Sequence, residues 1–276
     1  MTGATRAEVA IEVSGASHSF SQGTRALAVL SEVSLSVRSG EMVSLLGPSG
    51  CGKSTLLNIV GGVLTPDAGS VLLDGHPLHG IMPHKISFVF QEHALFPWNT
   101  VFENLMVALE FQGVPAAERA DRATVALDAV RMSEFRAFYP AQLSGGMKQR
   151  VALARGLSLE TDILLMDEPF AALDEQTRMV FGEDLSVLLA KTGKTIVLVT
   201  HSLSEAVFLS DRIFVMTARP GKIKAVVDVP KEHPRTPDFV SSAQFGAIRG
   251  ELYELLHDEI RASVESAQHV PKRDDG

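Results

Sequence analysis

A glycine-rich segment near residue 50 has the composition of a phosphate-binding loop. Residues 47–54 read GPSGCGKS, which fits G-x-x-x-x-G-K-[ST] between an apolar strand and a helix. The glycines let the backbone turn tightly and aim N–H groups at phosphate oxygens, and the positive helix N-terminus adds to the attraction. Lys53 is expected to neutralise β- and γ-phosphate charge, and the Ser54 hydroxyl to bind Mg²⁺. The segment predicts a nucleoside triphosphate site.

Two carboxylates end a second apolar strand. Residues 163–168 read ILLMDE, so that Asp167 and Glu168 emerge at the carboxyl end of a buried strand. Ligands of open parallel sheets bind at that edge. Asp167 is suited to hold Mg²⁺ through the water shell of the ion, and Glu168 to accept a proton from an attacking water or to orient it. Alone the pair could end a strand in solvent, but beside a phosphate loop it predicts hydrolysis.

Three further polar residues stand where a nucleotide site could use them. Gln91 ends the apolar strand at 86–90, and His201 comes just after the strand at 195–199. Asp174 lies beyond Glu168 in the turn before a helix. A single Gln or His at a strand end is more often a structural hydrogen-bonding group than a catalytic one. Their shared position beside sheet edges favours a place in the nucleotide site. Whether each acts as a structural hydrogen-bonding group or as a catalytic group stays open.

A second anion-binding segment occurs later in the chain. Residues 143–150 read LSGGMKQR and have the pattern of a helix start. Ser144, Gly145 and Gly146 offer free N–H groups at the positive end of the helix dipole. One nucleotide does not need two such segments from one molecule. A head-to-tail homodimer explains the duplication, because the second segment of each chain would cover the nucleotide of its partner.

Alternating strands and helices must position these groups. A helix is predicted from Lys53 to about Val60. Strand patterns occur at 11–20, 33–37, 42–46, 71–73, 86–90, 163–166, 195–199 and 213–216. The uniformly apolar 42–46 stretch is typical of a buried parallel strand. The alternation predicts an α/β fold with a mostly parallel sheet and helices on its faces.

A helical region interrupts the strand pattern. From residue 101 to 130 the apolar spacing is helical, and Pro115 ends one helix and begins the next. A further helix is expected over about 146–158. Residues 92–158 are therefore predicted to form a helical subdomain inserted into the sheet domain.

The end of the chain departs from the alternation as well. Pro230, Pro234 and Pro237 mark a break, and apolar residues from 245 to 260 then fall at helical spacing. One amphipathic helix with a polar tail is expected there. The predicted domain boundaries are 9–229 for the sheet domain with its insertion and 230–276 for the C-terminal helical extension.

Composition narrows the class of protein. The 276 residues can build one large domain without a disulfide or a metal staple, and a single cysteine fits a reducing compartment. A net charge of −8 argues against a nucleic-acid partner, which would need a basic surface. The sequence contains no run of about 20 apolar residues that could span a bilayer and no signal-peptide pattern. We therefore expect an intracellular protein.

With these motifs in this order, the sequence resembles the ATP-binding subunits of ABC transporters over about residues 11–227. The resemblance implies a P-loop NTPase fold of the ABC ATPase type, with an antiparallel β region beside the mostly parallel sheet. It implies ATP hydrolysis with ATP and Mg²⁺ as cofactors. Residues 47–55 correspond to the Walker A loop, Asp167 and Glu168 to the Walker B pair, and residues 143–149 to the signature motif, which generic P-loop proteins lack.

The resemblance also implies a role for each remaining site residue. Phe20 would stack on adenine where the family usually has Tyr. Gln91 would be the Q-loop glutamine, Asp174 part of the D-loop and His201 the switch histidine. The implied catalytic residues are Glu168, His201 and Gln91, and the implied metal ligands are Ser54, Gln91 and Asp167. The implied nucleotide contacts are Phe20, Gly47, Pro48, Ser49, Gly50, Cys51, Gly52, Lys53, Ser54, Thr55, Ser144, Gly145, Gly146 and Asp174.

Two short segments narrow the resemblance further. Pro97-Trp98 follows the Q-loop, and residues 219–223 read RPGKI after the last parallel strand. Both resemble importers of nitrate, taurine, aliphatic sulfonates and thiamine-precursor pyrimidines. Such a subunit would work with a two-copy transmembrane permease and a solute-binding protein, from the cytoplasmic face of the cell membrane. The ATPase subunit of an ABC exporter, or of a non-transport ABC complex, is the alternative.

The sequence allows two interpretations of Cys51 and two of the segment 93–98. Cys51 is most simply a small spacer, but the helix N-terminus could lower the pKa of its thiol, so that a thiol reagent inactivates the protein and MgATP protects it. The segment 93–98 is unusually apolar for a loop. Its Phe96 and Trp98 either form a surface for the permease or pack inside the helical subdomain.

Overall fold

A computed structural model of the protein describes residues 8–22, 25–230 and 232–268. Its strands are β1 (Val9–Gln22), β2 (Arg25–Arg38), β3 (Met42–Leu46), β4 (Ala68–Leu73), β5 (His76–Pro77), β6 (Ile86–Val89), β7 (Ile163–Asp167), β8 (Thr195–Thr200), β9 (Arg212–Met216) and β10 (Ile223–Asp228). Its helices are α1 (Lys53–Val60), α2 (Val101–Phe111), α3 (Ala116–Ala129), α4 (Gly145–Ser158), α5 (Glu175–Thr192), α6 (Leu203–Leu209), α7 (Pro237–Val240) and α8 (Ala243–Gln268). The predicted alternation of strands and helices is confirmed.

A six-stranded sheet forms the centre of the molecule, in the order β10-β9-β3-β8-β7-β6. All neighbouring strands are parallel except β9 and β10. Every residue of β3, β7 and β8 is buried, because helices or a second sheet cover both faces. The register pairs Leu46 with Thr200 and Asp167 with Val199, so the loops that follow β3, β7 and β8 leave from one edge.

The two faces of this sheet pack into two different apolar cores. Successive side chains of a strand point to opposite faces. In β7, Leu164 and Met166 accordingly join a core with α2 to α6 and α8. Ile163 and Leu165 join a second core with α1 and a four-stranded antiparallel sheet in the order β2-β1-β4-β5. The antiparallel β region implied by the family resemblance is thus present, on the α1 side of the central sheet.

Three helices fill the region between β6 and β7. α2 begins with a capping box, in which the Thr100 side chain accepts from the Glu103 N–H and the Glu103 carboxylate accepts from the Thr100 N–H. Pro115 is the N-cap of α3, as its missing N–H allows. Leu105, Leu109 and Leu127 are almost fully buried in the first core. These contacts support the helical subdomain, whose bounds of 92–158 stay a prediction.

The C-terminal segment packs on the same core as the central sheet. Phe245, Ile248 and Leu252 of α8 are buried there, as their helical spacing predicted. The prediction for the next two positions was wrong: Leu256 continues the buried face in place of Leu255, which is partly buried, and Ile260 is 47% exposed. The polar tail was predicted beyond Ser263, but α8 continues to Gln268, and the remainder of the tail lies outside the described residues. The domain boundary at 229 stays a prediction. Within the described ranges, no helix combines the length and the apolar content that crossing a bilayer would take.

Candidate nucleotide-binding site

The phosphate loop connects β3 to α1 and leaves its N–H groups available. Helix α1 has no side-chain cap at its N-terminus, where Gly52 adopts φ 105°. By contrast, a side chain caps each of α2, α4, α5 and α6. A Cβ at Gly52 would also lie only 2.7 Å from Leu30 Cδ2. A glycine there permits the tight approach and exposes the positive helix end to an anion.

Lys53 is held inside this loop although it is charged. Its side chain is 5% exposed, and its Nζ donates to the carbonyl oxygens of Gly47 at 2.8 Å and Pro48 at 2.9 Å. Two neutral carbonyls satisfy the ammonium group only partly, because a buried charge is best matched by an opposite charge. The ammonium group is therefore ready to exchange these bonds for phosphate oxygens.

Ser54 and Asp167 join the phosphate loop to the end of β7. The Ser54 hydroxyl donates to Asp167 Oδ1 at 3.0 Å. Burial raises the pKa of the Asp167 carboxyl, and the charge of Glu168 adds to this rise, whereas the bond from Ser54 and the charge of Lys53 oppose it. A hydroxyl and a buried carboxylate are the oxygen ligands that Mg²⁺ prefers. The donor set therefore fits a magnesium ion.

Glu168 is the point at which three separate segments meet. Its Oε2 lies 3.4 Å from Gln91 Nε2 and 3.4 Å from His201 Nδ1. The residue has φ 44°, a left-handed conformation that is uncommon outside glycine, and its N–H donates to the Val199 carbonyl at 3.0 Å. The turn after β7 thus aims the carboxylate at the ends of β6 and β8. The predicted grouping of Gln91, Glu168 and His201 is present.

A cleft of about 550 Å³ runs beside these groups. It is lined by Phe20, Leu27, Val29, Ser49, Gly50, Gly52, Lys53, Ser54, Thr55, Gln91, Glu168 and Arg219. Phe20 is 43% exposed. Its ring stands edge-on to His18, with centroids 4.8 Å apart, and His18 Nδ1 lies 3.3 Å from Asp67 Oδ1. The exposed face of the Phe20 ring therefore lines the same cleft as the phosphate loop.

Ser144, Gly145, Gly146 and Asp174 do not line this cleft. Ser144 caps α4 by accepting from the Met147 N–H at 3.3 Å. Asp174 caps α5, and the bond from the Thr177 N–H lowers the pKa of its carboxyl. The two helix starts instead approach each other, since a Cβ at Gly146 would lie 2.4 Å from Leu173 Cδ2. The structure brings these residues together at a second site.

Arg219 is a cleft residue to which the sequence analysis gave no chemical role. Its Nε and Nη2 donate to the Gly50 carbonyl at 3.0 Å and 2.9 Å. The segment RPGKI was noticed only as a family resemblance, because spacing along the chain gives no sign that it approaches the phosphate loop. His18 and Asp67, which support Phe20, were also missed, and no pattern in the sequence marks them.

Known proteins are similar to this chain in sequence and in fold. A family model described as ABC transporter matches residues 30–171. The chain is 42% identical to an uncharacterized ABC transporter ATP-binding protein of Methanocaldococcus jannaschii, over 94% of this chain and 96% of that protein. The chain belongs to the ABC transporter family.

Two further similarities place this ABC transporter chain among the ATP-binding subunits. It is 41% identical to a taurine import ATP-binding protein of Pseudomonas aeruginosa, over 91% of this chain and 95% of that protein. It is also similar to a dimeric ATP-binding cassette solved in a post-hydrolysis state with ADP and phosphate. That match has a TM-score of 0.73 and 33% identity, over 80% of this chain and 100% of the other. The predicted ABC ATPase fold and ATP-hydrolysing activity are confirmed.

The two interpretations of Cys51 are decided by burial. The residue is 1% exposed, and burial raises the pKa of its thiol more than the charge of Lys53 lowers it. The N–H groups of Lys53 and Cys51 at the helix start do lower this pKa, as one interpretation expected, but burial outweighs them and the net direction is upward. The Sγ atom faces inward, where a Cβ added at Gly47 would lie 2.9 Å from it. Cys51 is a small packing residue of the loop.

We expect Cys51 to react slowly with thiol reagents. A buried thiol with a raised pKa offers little thiolate, so labelling by iodoacetamide at pH 7.5 should be at least about tenfold slower in the native chain than in urea. MgATP should slow it further, because binding stabilises the closed loop. Mass spectrometry of the labelled peptide measures both rates. Native labelling as fast as labelling in urea would contradict the burial.

Proposed function

We propose that this ABC ATPase powers an importer and that the cleft between Phe20 and Glu168 binds MgATP. The observation that carries the proposal is the convergence of Gln91 and His201 on Glu168, next to the Ser54–Asp167 pair. These groups come from four separate segments of the chain. A shared metal and nucleotide is the simplest reason for bringing them to one edge of the sheet.

The nucleotide would lie along the cleft with its base toward Phe20. The exposed ring offers a face for adenine, and the segment 47–55 offers N–H groups to the phosphates. Lys53 would leave the Gly47 and Pro48 carbonyls for the β- and γ-phosphates. The proposed contacts from this chain are Phe20, Gly47, Pro48, Ser49, Gly50, Cys51, Gly52, Lys53, Ser54 and Thr55.

Ser54, Asp167 and Gln91 would hold Mg²⁺. Ser54 and Asp167 already share a hydrogen bond, and the Gln91 amide reaches the same region through Glu168. When bound, the ion supplies positive charge that offsets the negative charge on the transferred phosphoryl group. The raised pKa of Asp167 fits this role, because a buried carboxylate gains from a cation beside it.

Glu168 would act on the attacking water. Its side chain is about one-fifth exposed, so it reaches the cleft while its backbone stays anchored to β8. The carboxylate can accept a proton from water or orient the water for attack. His201 and Gln91 each lie within 3.4 Å of Oε2 and would fix its direction. The three residues therefore form the proposed catalytic group.

A second copy of the chain would complete the site. Ser144, Gly145 and Asp174 lie on the surface outside the cleft of their own chain, at the starts of α4 and α5. In a head-to-tail homodimer, these residues and Gly146 would cover the γ-phosphate bound by the partner. The similar cassette solved with ADP and phosphate is itself dimeric. Hydrolysis would then remove the phosphate that joins the two chains and open the dimer.

Importing activity is proposed from relatives of similar length. The Pseudomonas aeruginosa relative is a taurine import subunit and aligns over nearly all of both chains. Taurine carries a sulfonate, so we propose a small sulfonate or similar anion as the solute. The chain would sit at the cytoplasmic face of the membrane on a two-copy permease, with a solute-binding protein on the other side. No nucleic acid is involved in this proposal.

Trp98 is proposed to contact the permease. It is 72% exposed, which supports an outward-facing contact, whereas Phe96 is half-buried and Leu95 packs against the first core. Asn104 is fully buried and ties the loop down: its side chain accepts from the Phe96 N–H at 2.8 Å and donates to three carbonyls of residues 96–100. The loop is therefore fixed with its indole outward, as expected of a residue that anchors a partner.

Glu168→Gln tests the catalytic assignment. The amide cannot accept a proton, so kcat for ATP hydrolysis should fall at least about 10²-fold, whereas ATP binding and ATP-dependent dimerisation should persist. Phosphate release and light scattering measure the two properties. Glu12→Gln, on the exposed side of β1, is the matched control. Hydrolysis by Glu168→Gln at the rate of the control would contradict the assignment.

Solute-dependent hydrolysis tests the importer assignment. The ATPase should be assembled with its permease in vesicles, with the solute-binding protein added on the opposite side. Taurine and alkanesulfonates should raise the rate of ATP hydrolysis, and nitrate and a thiamine-precursor pyrimidine serve as competing candidates. Stimulation only by the last two would exclude a sulfonate importer. ATP-driven export of a solute without a binding protein would favour the exporter alternative.

Trp98→Ala tests the proposed permease contact. Loss of a central aromatic anchor should weaken binding of the subunit to permease vesicles on the order of tenfold or more. Sedimentation of the vesicles measures the bound fraction. Phe111→Ala is the matched control, since Phe111 is 82% exposed at the end of α2. Equal losses for both variants would remove the special role of Trp98.

A further inference from the structure

The turn between β9 and β10 is a rigid unit beside the phosphate loop. We call residues 217–222 the β9–β10 turn. The Thr217 N–H donates to the Lys222 carbonyl at 2.9 Å, and the Lys222 N–H donates to Thr217 Oγ1 at 3.0 Å. The Thr217 hydroxyl also donates to the Pro220 carbonyl at 3.2 Å. Because these hydrogen bonds join both ends of the turn, we expect its residues to move together.

This turn contacts the phosphate loop at two points. Arg219 donates two bonds to the Gly50 carbonyl, at 3.0 Å and 2.9 Å. At the second point, a Cβ at Gly221 would lie 2.2 Å from the Cys51 carbonyl oxygen, so only glycine allows the approach. The Gly221 N–H also donates to the Val29 carbonyl at 2.8 Å. The turn thus contacts the phosphate loop and β2 at the same time.

The C-terminal helix α8 also contacts this turn, through Glu259. Glu259 Oε2 accepts from the Ala218 N–H at 2.8 Å. Its Oε1 accepts from Lys224 Nζ at 2.8 Å, and Lys224 donates also to the Leu255 carbonyl at 2.9 Å. The Glu259 side chain is only 17% exposed, so solvent screens this ion pair less than an exposed one. A continuous series of bonds leads from α8 through Ala218 and Arg219 to Gly50.

We propose that the β9–β10 turn clamps the phosphate loop in its ATP-binding conformation and that α8 holds this clamp through Glu259. Arg219 and Glu259 are then positioning residues for nucleotide binding, a conclusion that rests on the proposed nucleotide site. A pinned Gly50 carbonyl fixes the direction of the neighbouring N–H groups before the nucleotide arrives. Without the clamp, ATP must order the loop as it binds and its apparent affinity falls.

The expected signature is a change in KM without a matching change in kcat. In the full-length chain, Arg219→Ala should raise KM for MgATP and the Kd of a fluorescent ATP analogue by about threefold to tenfold. The value of kcat should stay within about twofold, because a preorganised loop helps ground state and transition state alike. Glu259→Ala should shift KM and Kd in the same direction. Arg249→Ala and Glu254→Ala, both exposed on α8, are the matched controls.

Conservative variants separate the clamp from a general loss of folding. Glu259→Gln keeps an oxygen that can accept from the Ala218 N–H, so its KM should return to within about twofold of the wild type. Arg219→Lys keeps the charge but not the two-pronged donor, and should restore KM only in part. Combining Arg219→Ala with Glu259→Ala should raise KM no further than Arg219→Ala alone, because both act through one contact.

Four results would overturn the proposal. The first is a wild-type KM and Kd in Arg219→Ala. The second is an effect of Glu259→Ala on KM that adds in full to that of Arg219→Ala. The third is a wild-type KM in Arg219→Lys, which would indicate that the positive charge alone attracts the phosphates. The fourth is a fall in kcat at constant KM. Failure of the proposed function is distinguishable, because the wild-type chain itself would then neither bind nor hydrolyse MgATP.

Discussion

The parallel pairing of β3, β8 and β7 is the constraint on which the whole site depends. In this register Leu46, Thr200 and Asp167 end at one edge of the sheet, so the phosphate loop, the segment that begins with His201 and the acidic pair begin side by side. A shift of one residue in β7 would turn Asp167 to the opposite face. Burial of the strands on both sides prevents this shift, because it would exchange the two apolar cores that Leu164 and Leu165 enter.

Groups of both charges lie at this edge of the sheet: the helix start and Lys53 attract an anion, and Asp167 attracts a cation. Helix α1 presents an end without a side-chain cap, and Lys53 stands beside it with two carbonyls and the Cys51 sulfur as neutral partners. Asp167, close by, is buried enough for the pKa of its carboxyl to rise. Each arrangement is costly in an isolated chain, since buried charges lose hydration. In the proposed function, MgATP would supply the opposite charge that each of these two groups lacks.

The molecule divides its contacts between two surfaces. One is the cleft, where the chain contributes its own phosphate loop. The other carries Ser144 and Asp174, whose side chains cap helices within the same chain. Capping and nucleotide recognition use the same chemistry, namely N–H groups at a helix start. In the proposed homodimer these two helix starts would face the nucleotide of the partner, and the dimeric cassette with ADP and phosphate is similar to this chain over all of its own length.

The sequence by itself determined the fold class, most element positions and the grouping of Gln91, Glu168 and His201. These follow from local patterns: the continuous apolar run of β7, the break at Pro115 and the glycines around Lys53 each act through neighbouring residues. Gln91, Glu168 and His201 could be predicted as a group because strand ends of a parallel sheet meet at one edge.

Only the tertiary structure decided the properties that depend on residues far apart in the chain. Burial by distant elements, and not the adjacent helix, sets the direction of the Cys51 pKa. The side-chain bonds of Asn104 keep the loop with Trp98 at the surface. The contact of Arg219 with Gly50, and its support by Glu259, joins three segments that no spacing rule connects. Periodicity reports which way a side chain faces, whereas the partner that it meets is fixed only when the elements pack.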